Sequence, residues 1–182
     1  MNQPMRRLAA LVALLLLPCL GGTASAQSTS RDTTREQLRS VLASAGQRSD
    51  VGVTFRQSTK NPYNFVGSMT RGLSNSDSLE IVISVTQKDT IGFRVYPHYN
   101  GGYINLAKAR NPSALMGKLL YLSDQNFLFW GADDTQDVFA GYTITLESGF
   151  PSDAIVVVLR SIHNTDGFVG QLRPYIDGSS PA

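Results

Sequence analysis

The spacing of hydrophobic residues switches between a helical and a strand period along this chain, and the switches predict its elements. Leu38, Val41, Leu42 and Ala45 recur at i, i+3, i+4 and i+7. Thr33 and Glu36 stand before them as a capping box and Gly46 after them as a stop, which predicts a short amphipathic helix over residues 34–45. From Val51 the period becomes two, with Val53 and Phe55 alternating against Gly52, Thr54 and Arg56. The Thr59-Lys60-Asn61-Pro62 turn leads into a second strand over residues 63–69. Leu79, Ile81, Ile83 and Val85 then alternate with Glu80, Val82, Ser84 and Thr86, the clearest strand pattern in the chain. After Gln87-Lys88-Asp89 the alternation resumes at Ile91, Phe93 and Val95 and is expected to be ended by Pro97 and Asn100-Gly101-Gly102. Connections this short make antiparallel neighbours, so residues 51–97 predict a meander of three or four strands.

The second half repeats the scheme. Asn111-Pro112 is an N-cap followed by proline at the first helical position. Leu115, Met116, Leu119 and Leu122 share one face of the helix that follows. Strands are expected over 127–130 and 138–147, separated by the acidic turn Asp133-Asp134-Thr135-Gln136-Asp137. In the second of these, Val138, Ala140, Tyr142, Ile144 and Leu146 lie on one face. Pro151-Ser152-Asp153 opens a C-terminal segment in which Ile155, Val158, Leu159, Ile162, Val169 and Leu172 fit helical spacing. The run Ile155-Val156-Val157-Val158 alone has strong β propensity, but the cap before it and the stripe after it favour one long helix. Gly167 and Gly170 are placed to kink it. The predicted fold is α+β, an antiparallel sheet of about five strands with helices packed on it, in the order α-β-β-β-α-β-β-α.

Upstream of these elements, Arg6 and Arg7 precede an apolar run over residues 8–20, and Ala24-Ser25-Ala26 forms a small-residue exit. This is the pattern of a secretory signal peptide cleaved after Ala26. Pro18 and Gly21-Gly22 interrupt the run, which falls short of the roughly 20 apolar residues of a spanning helix. Pro18 also stands before Cys19, where a lipoprotein site wants a small residue. The organisation expected is a signal peptide over 1–26, a flexible mature N-terminus over 27–33, one domain over 34–177 and a short tail over 178–182. The protein is then exported, to a periplasm or beyond the cell, with no membrane insertion after cleavage.

Removal of the signal changes composition in two ways that matter. It deletes Cys19, the single cysteine, so the mature chain has no disulfide and no thiolate ligand. It also removes two of the 16 basic residues and none of the 14 acidic ones. The remaining charges balance, which leaves no electrostatic footprint for nucleic acid.

The search for chemistry returns little. His98 and His163 lie far apart and lack metal-ligand spacing, no nucleophile motif such as G-x-S-x-G is present, and Glu36, Glu80 and Glu147 have ordinary structural places. The acidic turn at 133–137 offers oxygens for calcium but lacks the glycine and terminal glutamate of an EF-hand loop; carboxylates capping a solvated turn is the better reading. No cofactor, metal site or catalytic residue is expected. The aromatic cluster of Tyr121, Phe127, Phe129 and Trp130 is the one feature with a claim to function. If Phe127 and Phe129 face one side of a strand and Leu128 and Trp130 the other, both faces are apolar, and one can serve as an interface. Its residues are expected to include Leu115, Leu119, Tyr121, Leu122, Phe129 and Trp130.

Three segments carry a family likeness: Leu119-Leu120-Tyr121-Leu122-Ser123 running to Asn126; Asp137-Val138-Phe139 followed by Ala140 and Tyr142; and Phe150-Pro151-Ser152-Asp153-Ala154-Ile155. With them the chain resembles the YbjN family and, more distantly, proteins of the type III secretion chaperone fold. The resemblance implies a non-enzymatic protein-binding module, commonly a homodimer, with chaperone-like or regulatory roles. Unlike the cytoplasmic members of that family, this chain carries an export signal. The alternative from another class is a cell-envelope module that holds a small apolar ligand between sheet and helices.

Overall fold

The computed structural model describes residues 23–181, with side chains described from residue 30. The apolar run of the expected signal peptide lies outside the described residues. The elements are α1 (Thr23–Gly46), β1 (Arg56–Gln57), β2 (Asn64–Met69), β3 (Ser78–Val85), β4 (Thr90–Tyr99), β5 (Gly102–Tyr103), α2 (Pro112–Gln125), β6 (Phe129–Ala132), β7 (Val138–Thr145), α3 (Ser152–Ser161) and α4 (Thr165–Ile176). All strand pairs are antiparallel, in the order β1-β2-β3-β4-β7-β6, with β5 paired to the end of β4. The α+β class is as expected. The sheet has seven strands rather than about five, because β1 and β5 are two-residue pairings too short to leave a period in the sequence.

One face of the sheet is covered by helices. Ile81, Ile83, Ile91 and Phe93 from the sheet bury against Leu38 and Leu42 of α1, Leu115 of α2, Ile155 and Leu159 of α3, and Leu172 of α4. The alternation in β3 is complete, with every second residue buried, so its register is fixed by which residues face the helices. The opposite face carries a cross-strand row running Arg56, Val66, Val82, Arg94, Gly141 and Phe129.

Four expectations are corrected. Helix α1 is already formed at Thr23, the first described residue, and runs through residues 27–33, so Thr33 is a helix-interior residue and the Thr33–Glu36 capping box does not form. Glu36 pairs instead with Arg35 and Arg39, at 2.9 and 3.1 Å. The extension is tied down by polar groups: Arg31 donates to the Val85 carbonyl at 2.7 Å and stacks 3.5 Å from the Tyr63 ring, and Thr34 is buried. Residues 51–55 are not a strand although Val51 and Val53 are buried; Gly52 adopts φ +61° and the Val53 N–H donates back to the Gly46 carbonyl at the end of α1.

Strand β4 passes through Pro97 and ends at Tyr99, so of the two expected stops the Asn100-Gly101-Gly102 turn ends it and Pro97 does not. The His98 carbonyl faces β3, accepting from Asp77 N at 2.9 Å, so the side of Pro97 that lacks an N–H points where β7, last paired at Val95, has already left. The strand then turns through Asn100 and Gly101, both at positive φ, into β5. The C-terminal helix is two helices, α3 and α4, joined by a single 3₁₀ turn at Ile162–Asn164 rather than kinked at Gly167 or Gly170. The Ile155–Val158 run is helical, as the stripe beyond it required.

Asp166, in the first turn of α4, locks that helix to the loop before β3. Its buried carboxylate accepts from the backbone N–H groups of Ser74, Asn75 and Ser76 at 2.8 to 3.0 Å and from the Asn75 side-chain amide at 3.2 Å. Burial pushes its carboxyl up, but those donors outweigh burial and hold it below the usual aspartate range.

Candidate binding site

Helix α2 and the loop after it build the surface that carries the sequence's aromatic residues. Asn111 caps the helix by accepting from Ala114 N at 3.1 Å, with Pro112 in the first turn. At the other end Ser123 Oγ donates to the Leu119 carbonyl at 2.9 Å and accepts from Trp130 N at 2.8 Å. That second bond occupies an outward backbone donor of β6 and shields the sheet edge with α2. Asn126 Nδ2 donates to the Leu122 carbonyl at 2.8 Å and fixes the path of the loop. The chain is thereby held so that Phe127 stands out from the surface, 97% exposed.

Beside Phe127 lies a groove of about 300 Å³, lined by Phe127 and Leu128 from the loop, Tyr142 from β7, Val157 and Val158 from α3, and Phe168 from α4, with Asn126, Ser161 and Asn164 among its polar lining groups. No ionisable acid or base other than the Tyr142 phenol lines it. Asn126 keeps its carbonyl oxygen and Ser161, whose hydroxyl donates to the Val158 carbonyl at 2.8 Å, keeps its lone pairs. Both are acceptors available to a bound backbone.

The six residues expected to form an interface divide. Leu115, Leu119, Leu122 and Trp130 are buried in this chain's own core, and Trp130 packs edge-on against Phe168 with ring centroids 6.2 Å apart. They are therefore core residues, not surface ones. Tyr121 is exposed on the far side of α2 against Lys118, and Phe129 is half-exposed on the uncovered face of the sheet. Phe127 and Phe129 do not share a strand face, because β6 begins only at Phe129. Phe127, named in the aromatic cluster but not among the six expected interface residues, and Val157, not singled out at all, are the exposed apolar groups at the groove. Val157 was legible once residues 155–158 are helical, since Ile155, Val158 and Leu159 then face inward and leave it 61% exposed.

The titratable groups are committed elsewhere. On the uncovered sheet face Tyr103 donates to Glu80 Oε2 at 3.0 Å, and His98 Nε2 lies 4.0 Å from the same oxygen. Burial, then the Glu80 carboxylate, pushes the Tyr103 phenol up to about 12. A phenol with so high a pKa is a poor nucleophile or base. His163 sits over Gly72. In the acidic turn, Asp133 Oδ1 accepts from Thr135 N and Asp137 N, both at 3.0 Å, and Asp137 Oδ1 accepts from the Asn105 amide at 2.8 Å. The turn's carboxylates thus satisfy backbone and side-chain donors, and among the described residues no three acidic, histidine or cysteine side chains converge to hold a metal ion.

No protein-family model matches this chain, and no curated protein and no solved structure matches it either. Among the described residues no helix is long and apolar enough to cross a membrane.

Proposed function

We propose that this chain is an exported, non-catalytic binding protein of YbjN-like type that engages another polypeptide, or a second copy of itself, through the surface around Phe127. The observation that carries the reading is the near-complete exposure of Phe127 beside an apolar groove. A phenyl ring left in water forfeits on the order of 2 kcal/mol of burial, and contiguous exposed apolar surface, here Phe127 and Val157 lining one groove, marks interaction sites. The groove's 300 Å³ stands at the lower bound of small-molecule pockets, roughly 300–1,000 Å³. That size suits one or two side chains of a partner better than an enclosed apolar ligand. The acceptors of Asn126 and Ser161 at the groove favour a ligand with a peptide backbone.

The test is whether the purified protein binds a permanently unfolded polypeptide, reduced α-lactalbumin, and whether it does so through this surface. Isothermal calorimetry on wild type, Phe127→Ser and Val157→Ser should show binding that weakens about tenfold or more in each variant with melting temperature unchanged. Light scattering on the same proteins reports self-association through the same surface. The reading fails if wild type neither binds the unfolded chain nor self-associates, or if both variants bind like wild type. A small apolar molecule found in the groove by native mass spectrometry would replace it with the ligand-binding alternative.

A further inference from the structure

Ten arginines lie among the described residues. Seven have guanidinium groups that donate to a carboxylate, a carbonyl, an amide oxygen or a phenol. The guanidinium groups of Arg56, Arg71 and Arg110 make no hydrogen bond or ion pair among the described residues. Two of those three, Arg56 and Arg71, line one cavity of about 530 Å³ at the β1 edge of the sheet. It is at the opposite edge from β6, and the inference stands independently of the groove at Phe127.

The cavity's other polar groups are hydrogen-bond donors of the kind that complete an oxyanion shell. Thr54, Ser68 and Thr70 bring three hydroxyls, none of which makes a hydrogen bond among the described residues. Glu80 is the one carboxylate in the lining, and its Oε2 is engaged by the Tyr103 hydroxyl at 3.0 Å. Arg71 also lines an adjoining space of about 590 Å³ with Arg48 and His163, where Asp50 is the single acid and is held by Arg48 and Arg160. The lining of the β1-edge cavity thus carries two guanidinium groups against one carboxylate that is already engaged. A guanidinium presents a planar fork that matches two oxygens of a carboxylate or phosphate.

We propose that this cavity binds a small anionic molecule, with Arg56 and Arg71 gripping its phosphate or carboxylate and the three hydroxyls completing the shell. Both arginines are exposed, so their replacement leaves the core intact, and Arg110 supplies a control of the same kind outside the cavity. The experiment is calorimetric titration and thermal melting of wild type, Arg56→Gln, Arg71→Gln and Arg110→Gln with inorganic phosphate and with succinate, ionic strength held constant with sodium chloride. Saturable binding of phosphate, succinate or both is expected, with a rise in melting temperature. Affinity should fall about tenfold in each cavity variant, the scale of one charge-assisted hydrogen bond, and stay unchanged in Arg110→Gln. A response to phosphate alone assigns a phosphoryl ligand; a response to succinate alone assigns a carboxylate. The proposal is overturned if neither anion acts beyond chloride, or if Arg110→Gln weakens binding as much as the cavity variants do.

Discussion

Replacement of Asp166 by asparagine tests how the C-terminal helices are fastened to the sheet. The residue is 5% exposed, and its carboxylate accepts from Ser74 N at 2.8 Å, Asn75 N at 3.0 Å and Ser76 N at 2.8 Å. Asparagine keeps one oxygen in nearly the same place and turns the other into an N–H₂ group that faces N–H donors. Each hydrogen bond to a charged acceptor is worth about 1.5–3 kcal/mol, and a buried donor left without a partner costs about 1–3 kcal/mol. These terms overlap, so the loss for Asp166→Asn is about 3 kcal/mol, with Asp166→Ala about 4 kcal/mol. The negative charge in the first turn of α4 adds a smaller favourable interaction with the helix dipole, about 0.5 kcal/mol, that asparagine also removes. For a domain of this size each 1 kcal/mol moves the melting temperature by about 2–4 °C, which places Asp166→Asn roughly 6–12 °C below wild type.

The pH dependence separates this account from a simple packing defect. The folded carboxyl titrates below its ordinary value, so the unfolded chain binds the proton first as pH falls. The stabilisation is fully present above an unfolded aspartate's pKa of about 3.9 and is lost as pH falls through the folded value. Urea unfolding followed by circular dichroism should give a constant gap between wild type and Asp166→Asn from pH 8 to 5, narrowing below pH 4. A gap under about 1 kcal/mol at pH 7, or one that does not narrow in acid, refutes the reasoning.

Two further outcomes follow from the geometry. A methyl group on Gly46 would lie 2.2 Å from the Val53 carbonyl oxygen, a backbone atom that no rotamer change can move. Gly46→Ala should therefore cost about 2–3 kcal/mol by chemical denaturation, whereas Gly92→Ala, whose methyl meets open space, should be neutral or stabilising by about 0.5 kcal/mol; equal effects would show that the two sites are not distinguished by packing. A chain beginning at Gln27 retains Arg31, whose bonds to the Val85 carbonyl tie α1 to the end of β3. It should melt within about 2 °C of the full chain, and a larger drop would mean that residues 1–26 contribute to the folded domain.

What was legible in the sequence was the part written in burial. Strand β3, β4 as far as Val95, and helix α2 each present one buried face, and a buried face must repeat with the period of its element. The Ile155–Val158 run shows the same rule overriding local propensity, since the partners of Ile155 and Leu159 lie on one side of a helix. Where the determinants were polar or tertiary the pattern was silent. Residues 23–33 contain no apolar stripe, and their helix is secured through Arg31 and Arg35 stacked on Tyr63. Val51 and Val53 have strand spacing and core burial, yet Gly52 at positive φ turns the backbone between them, and a period of two cannot report that. The break between α3 and α4 occurs within a continuous apolar stripe that a single helix fits as well.

Four of the six residues expected at an interface, Leu115, Leu119, Leu122 and Trp130, are core residues, and Phe129 is partly covered for a reason that residue spacing does not show. The register puts Phe129 and Phe139 on the same uncovered face of the sheet. The registry pairs each ring with a glycine on the neighbouring strand, Phe129 with Gly141 and Phe139 with Gly131. A methyl group on either glycine would run into the ring above it, at 2.3 and 3.1 Å. The rings thus lie down on the sheet, and Arg94 covers Phe139 from 4.5 Å. Phe139 is only 5% exposed on a face that carries no helix, and Tyr96 beside it 9%. The chain covers those aromatics with its own glycines and arginine, so most of their area is not on offer to a partner. Phe127 has no such partner strand, since it precedes β6, and its exposure is what moves the proposed interface from the strand faces to the loop.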